Sequence, residues 1–443
     1  MIRKSEGLIM KEQDSHDPTI HGTHSHGHSH GHPHEHSHSK AHAHYTRRWF
    51  LSVAVPGTML VKDAFAQQQG DMAERFRRMS DDAERKGLAE PFKGITANGE
   101  VTPGLFPIQA TRVSTAPVRN AAEKFLASLT ADQRAKTMFA VDDPEWRKWM
   151  NQHFYVRQGV SFREMNEAQR DAAFGLLSTS LSARGMQLTR NIMRLNETLA
   201  ELTNDHEFLG EWLYHITVMG KPSATEPWGW QLDGHHAIIN YFVLGDQVVM
   251  TPHFAGSEPV VATSGKYKGT AILQEEQNQG FALLQALNEA QRKKAVLNFS
   301  KTGNNNLTEA FKDNVVLDYA GVRVADLSAA QNRRLLDLVG LYVGNMDDGH
   351  ARVKMDEVKR HLENTHFAWI GGAEADSTFY YRIHSPVILI EFDHQRPANL
   401  ARFAAEPQKP TRQHIHVVVR TPNGNDYGKD LLRQHYLSHR HSG

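Results

Sequence analysis

The chain of 443 residues contains no cysteine. That absence excludes disulfides, thiolate metal sites, iron–sulfur clusters and a cysteine nucleophile, so any bound metal must rest on His, Asp, Glu or neutral oxygen donors. An excess of one charge is missing too. Lys plus Arg and Asp plus Glu each number 50, and no basic footprint points to nucleic acid or to an anionic membrane. The apolar run Phe50 to Val61 is interrupted by Pro56 and Gly57 and falls short of the about 20 residues a bilayer span needs, so no stable membrane anchor is expected. There is no Gly-rich phosphate loop, no G-x-S-x-G, no H-E-x-x-H and no kinase signature, which takes weight from nucleotide and serine-hydrolase chemistry.

Histidine is what the chain has in abundance: 28 in all, 12 of them between His16 and His44. Residues 1–45 are low-complexity, with almost nothing to bury, and are expected to be disordered while their imidazoles chelate zinc, nickel or copper. Thr46-Arg47-Arg48-Trp49-Phe50-Leu51 resembles a twin-arginine export signal, and Ala64-Phe65-Ala66 supplies an A-x-A cleavage pattern. Residues 46–66 therefore read as an export signal, with Gln67 as mature start, the twin-arginine export machinery as partner and a periplasmic or secreted destination. The His tract lies upstream of that cut, so it is not the working metal site. Residues 67–117 are polar, carry Pro103, Gly104 and Pro107, and are expected to form an extended lead-in.

Four segments share one opening: Leu129 to Arg134, Met165 to Arg170, Leu287 to Arg292 and Leu327 to Asn332. Each sets an N-cap residue (Thr130, Asn166, Asn288, Ser328) three positions before a Gln, the capping-box spacing, behind an apolar residue. Four helix starts follow. An offset of 151 residues then lays His215 to Gly220 over His366 to Gly371, and Trp230 to Tyr241 over Tyr381 to Phe392; with slippage, Val248 to Pro252 matches Val417 to Pro422. The expected fold is α+β, a duplicated unit of helical pair plus antiparallel three-strand meander, with copies at 118–275 and 276–443 related by a pseudo-twofold axis.

The best spaced metal-capable side chains lie between Val387 and Gly428. Val387 to His394 is a β-branched strand run holding Glu391, and Gln413 to Arg420 carries His414 and His416 on one face of an extended chain. If the runs pair antiparallel, Glu391 falls beside the two imidazoles as an oxygen ligand or general base. In the first copy Asn240 takes the place of Glu391. His235 and His236 sit near the start of the corresponding strand, where alternation allows only one of them, by preference His236, to face the site; Gly234 lets a backbone come close. Arg382 and Arg420 suit an anionic group or an internal ion pair, and Asp426 and Tyr427 add a carboxylate and a phenol in the turn-rich loop that follows. Secondary candidates are His253 and the run Met346 to His350. Trp228, Trp230, Phe379, Tyr380 and Tyr381 could stack a ring or form core.

Leu232-Asp233-Gly234-His235-His236, Thr251-Pro252-His253-Phe254 with Gly256 to Pro259, Tyr380-Tyr381-Arg382, Ile390 to His394, and His414-Ile415-His416 through Asn425-Asp426-Tyr427-Gly428 together resemble a bacterial family, domain of unknown function 3500, over residues 120–440. The resemblance implies no activity. From the residues, the expected function is an exported metal-dependent hydrolase of a small polar or anionic substrate. One divalent ion (zinc, iron or copper) would be held by His414, His416, Glu391 and a first-copy histidine. Oxygen chemistry at the same ligands, a periplasmic binding protein and a purely structural set of histidines are the alternatives.

Overall fold

In a computed structural model, residues 57–438 are described; the twin-arginine run and the His-rich tail lie outside them. The chain divides into two units, residues 1–61 and 62–443. Of the first, residues 57–61 are described, as helix.

The first helix, α1, spans Gly57–Gly87, where an export signal and an extended lead-in were expected. Its part from Asp71 onward is made of good helix formers, with charges spaced for i,i+4 pairing at Glu74–Arg78 and Asp82–Lys86. Met72, Phe76, Met79 and Ala83 add a sparse apolar stripe at helical spacing. The helix is held by apolar and polar contacts together: the Phe76 ring packs against those of His153, Phe154 and Phe208, Ser80 accepts from the Val156 amide at 3.0 Å, and Glu84 accepts from the Tyr155 hydroxyl at 2.9 Å.

After an irregular stretch come α2 (Ala116–Ser128), α3 (Ala131–Thr137), the short strands β1 (Met138–Phe139) and β2 (Val160–Ser161), then α4 (Glu167–Ser180) and α5 (Ala183–Thr203). Five strands follow: β3 (Tyr214–Met219), β4 (Trp228–Gly234), β5 (Ala237–Leu244), β6 (Gln247–Val249) and β7 (His253–Ser257). The next helices are α6 (Gln274–Ala286) and α7 (Glu289–Ala295), with β8 (Val296–Asn298), β9 (Val322–Arg323), α8 (Ala329–Val343) and α9 (Asp348–Arg360) behind them. The chain ends with β10 (His366–Gly371), β11 (Phe379–His384), β12 (Leu389–His394), β13 (Ile415–Arg420) and α10 (Lys429–Ser438). All four expected capping boxes form, at the starts of α3, α4, α7 and α8.

The strands make one mixed sheet in the order β1-β3-β4-β5-β7-β13-β12-β11-β10-β8, with β2 beside β3, β6 beside β5 and β9 beside β10. The fold is thus α+β. β3, β4 and β5 form an antiparallel meander, as do β10, β11 and β12. The run expected to match the last strand, Val248-Val249, lies in β6 at the edge of β5; it is β7 that lies beside β13 at the centre.

Alternation along the strands sorts the side chains into two layers. One face buries Ile239, Ala255, Ile390, Phe392, Ile415, Val417 and Val419 against the helices. The opposite face buries Ile238, Phe254 and Val418 under coil carrying Trp146, Trp149 and Tyr427 and under α10. His414 and His416 share the parity of Val418, so they lie on the coil-covered face.

Candidate metal centre

β12 and β13 pair antiparallel, placing Asp393 opposite His416 and Glu391 opposite Val418. On its other edge β13 pairs with β7, where Gly256 stands opposite His416. The third imidazole comes from the tight turn between β4 and β5, whose two loop residues are His235 and His236. His236 has φ of +65°, a conformation uncommon outside glycine, and that turn aims its ring across β7 at β13. Sequence alternation favoured His236 for the wrong reason: the residue is not on a strand.

Three Nε2 atoms converge. His414 and His416 are 3.0 Å apart, His236 and His416 3.1 Å, His414 and His236 3.4 Å. Three nitrogens set tetrahedrally about 2.0–2.1 Å from a zinc ion would be about 3.3 Å apart. The ring planes of each pair cross at 60 to 83°, as rings turned toward a common point do. His236, His414 and His416 form a buried group able to hold a metal ion.

The far nitrogens decide the protonation. His414 Nδ1 lies 2.7 Å from the Arg396 carbonyl, which can only accept. His416 Nδ1 lies 2.7 Å from Glu309 Oε1. His414 Nδ1 therefore carries the proton, and so does His416 Nδ1 while Glu309, whose carboxyl burial pushes upward, is ionised; each Nε2 of a neutral ring then turns a lone pair inward. Burial holds all three imidazoles below their ordinary range, well below it for His236 and His416, against a smaller opposing pull of Glu258 on His414. Lone pairs 3.0 Å apart repel unless a cation lies between them.

Gly256 makes the approach possible. A Cβ there would stand 2.6 Å from the Ile415 carbonyl and 3.2 Å from Cδ2 of both His236 and His416. Gly234 has a different purpose from the one expected: a side chain there would run into the Tyr214 ring rather than a backbone.

His235 is beside the group but not in it. Its ring lies on that of His236, centroids 3.9 Å apart, and its Nδ1 meets Asn196 Oδ1 at 2.8 Å. The expectation that Glu391 lies with the imidazoles is corrected. Its fully buried carboxylate accepts from the amides of Leu307 and Thr308, the Thr308 hydroxyl and the Tyr380 hydroxyl. Arg420, also expected at the site, is buried in an ion network with Asp313 and Asp426 and donates to the carbonyls of Thr308 and Glu309. Tyr427 donates to Asp313 and accepts from Trp149. Arg382 stands opposite Glu391 in the β11–β12 register and reaches the Asp318 carbonyl at 3.3 Å. These groups clamp the coil of residues 299–321 onto the sheet. Asp347 caps α9 and pairs with His350, and the tryptophans and tyrosines named from sequence are core.

Glu309, on that coil, was not foreseen; nor were Asn196 and the Arg396 carbonyl. No periodicity marks a coil carboxylate, and only the buried acids of β12 hint that a segment must cross them.

A family model described as protein of unknown function, DUF3500, matches residues 111–429. The chain belongs to this family. No curated protein and no solved structure matches it.

Proposed function

We propose that this chain is an exported metal-dependent enzyme of hydrolytic type acting on a small polar substrate, with one divalent ion, zinc by donor set, held by His236, His414 and His416. The observation that carries the reading is the convergence of three Nε2 atoms, two of them on rings whose Nδ1 is already committed to an acceptor. When bound, such an ion supplies Lewis acidity toward a substrate oxygen or a water. The chain's own part is to orient: Glu309 and the Arg396 carbonyl fix the tautomers, as acceptors behind ligating histidines do. Three neutral donors leave the full charge of the ion uncompensated. Arg382 and Arg420 are engaged elsewhere, so nothing at the triad favours an anionic substrate over a neutral one. Export rests on the run Thr46 to Ala66.

In this reading the two halves descend from one unit, and the site forms where they meet. The strand order, the same outward from β7 as from β13, supports descent by duplication. So does a repeated device. Gln169 donates to Gln133 and to the Ser128 carbonyl, and Gln331 donates to Gln291 and to the Ala286 carbonyl, tying the equivalent caps together in each half.

A second reading, a metal-holding protein without turnover, is favoured by burial, since each ring is only 4 to 6 % exposed. Protein lacking residues 1–45, natural and His414→Ala, tests both after zinc loading and dialysis. The enzyme reading expects one zinc per chain and turnover on a panel of small esters, amides and lactones, both lost in the variant. Zinc without turnover transfers the case to the second reading, and no zinc sinks both.

A further inference from the structure

α5 ends at Asn204, whose left-handed φ of +56° turns the chain back, and Asp205 accepts from the Phe208 amide at 3.1 Å, fixing the turn that follows. That turn presents Phe208 to Phe76 of α1, ring centroids 4.9 Å apart. Phe76 also meets Phe154 and His153, at 5.9 and 6.0 Å. All four rings are half-buried. They border an open cleft of about 830 Å³, with Met72 and Met79 on its α1 side. Small-molecule sites have about 300–1,000 Å³, and thioethers beside ring faces make an adaptable surface for a further ring. The rim carries Arg75, Asp205 and Glu207. With both signs present, it selects for neither.

His153 ties the cleft to the metal centre. Its ring stands edge-on to that of His235, centroids 5.7 Å apart, and the His235 ring lies on that of His236 at 3.9 Å. One imidazole therefore separates the cleft wall from a ring of the triad. Asn196 Nδ2 is committed to the Gly210 carbonyl at 2.9 Å, so Asn196 Oδ1 accepts from His235 Nδ1 and leaves His235 Nε2 with a free lone pair. We propose that this cleft binds the substrate of the metal centre, and that the substrate is a neutral carbonyl compound bearing an aromatic ring, such as an aryl ester. The ring lies among Phe76, Phe154 and Phe208, and the carbonyl passes His153 and His235 toward the triad. This rests on the hydrolytic reading above and narrows its substrate. Hydrolysis of an aryl ester breaks the acyl C–O bond, puts the hydroxyl of water on the acyl carbon and its other proton on the departing oxygen. The phenol so formed is itself a ligand of the cleft.

2-Naphthol, followed by its own fluorescence on the full chain without added metal, tests the cleft apart from turnover. It is expected to saturate one site and to bind about three- to tenfold tighter than decahydro-2-naphthol, the same skeleton without π faces, measured by competition. Phe208→Ala should remove most of that preference, and Met79→Trp, at an exposed position of α1, should block both ligands. Absence of saturable binding, equal affinity for the two, or unchanged 2-naphthol binding in Met79→Trp overturns the proposal. If Phe208→Ala does not fold, Met79→Trp decides. On the zinc-loaded chain, Phe208→Ala should raise KM for 2-naphthyl acetate about three- to tenfold with kcat unchanged, and leave KM for ethyl acetate as it was. Turnover without that split overturns the link between cleft and triad. Aromatic-selective binding without any turnover supports the cleft and sinks the hydrolytic reading instead.

Discussion

Gly256→Ala probes the packing that brings the three imidazoles together. Gly256 is the register partner of His416 on β7, and its φ is not among the positive ones, so alanine meets no backbone penalty. The conflict is one of space. The new Cβ would sit 2.6 Å from the Ile415 carbonyl and 3.2 Å from Cδ2 of each of two rings, whereas carbon atoms rest about 3.5–4.0 Å apart. Each ring must retreat by about 0.3 Å or more, and metal sites hold their distances to about ±0.2 Å. Overpacking of this kind costs about 1–3 kcal/mol, and disturbance behind or beside a ligand costs about 10- to 100-fold in metal affinity. Urea unfolding in excess chelator reads the first quantity. Competition with a chromophoric chelator, on protein lacking residues 1–45, reads the second. A folded Gly256→Ala protein that binds zinc within twofold of the natural affinity would refute the reasoning.

Glu309→Ala should weaken zinc binding by about 10- to 100-fold by removing the acceptor behind His416, while Glu309→Gln, which keeps an acceptor, should lose less; chelator competition ranks the three proteins. Glu391→Ala should destabilise by about 3 kcal/mol in urea, since it strands the amides of Leu307 and Thr308 and the Tyr380 hydroxyl; a loss under 1 kcal/mol would contradict its role as clamp. Acid should destabilise the fold through its buried neutral imidazoles. Burial pushes His384 down to about 3 and His253 to about 4, so as pH falls below about 6.5 the unfolded chain takes up protons that the folded chain refuses, and by pH 5 each residue lowers stability by about 2 kcal/mol. His384→Phe should lessen the loss of stability between pH 7.5 and pH 5 by about 2 kcal/mol, the remainder coming from His253, His215 and the other buried imidazoles.

Much of this was legible where the signal is local. A capping box needs only two residues three apart, and all four form. Val387 to His394 and Gln413 to Arg420 are β-branched enough to be strands, and the period of two put His414 and His416 on one face. That same period placed Glu391 on their face but could not say what covers it; coil from 83 and 84 residues upstream brings the amides that occupy the carboxylate. His236 was reachable only because a two-residue turn happens to aim it across β7. The helical stretch of residues 67–87 was misread as an extended lead-in because polar residues dominate it, and Glu309 sits in coil, where spacing carries no information about place.

Anomalous diffraction from zinc-loaded crystals tests the central claim most directly. The account predicts one peak about 2.0–2.1 Å from Nε2 of each of His236, His414 and His416, with Glu309 still on His416 Nδ1. A map without density between those nitrogens, or a zinc ion bound by Glu391 and other donors instead, would contradict it.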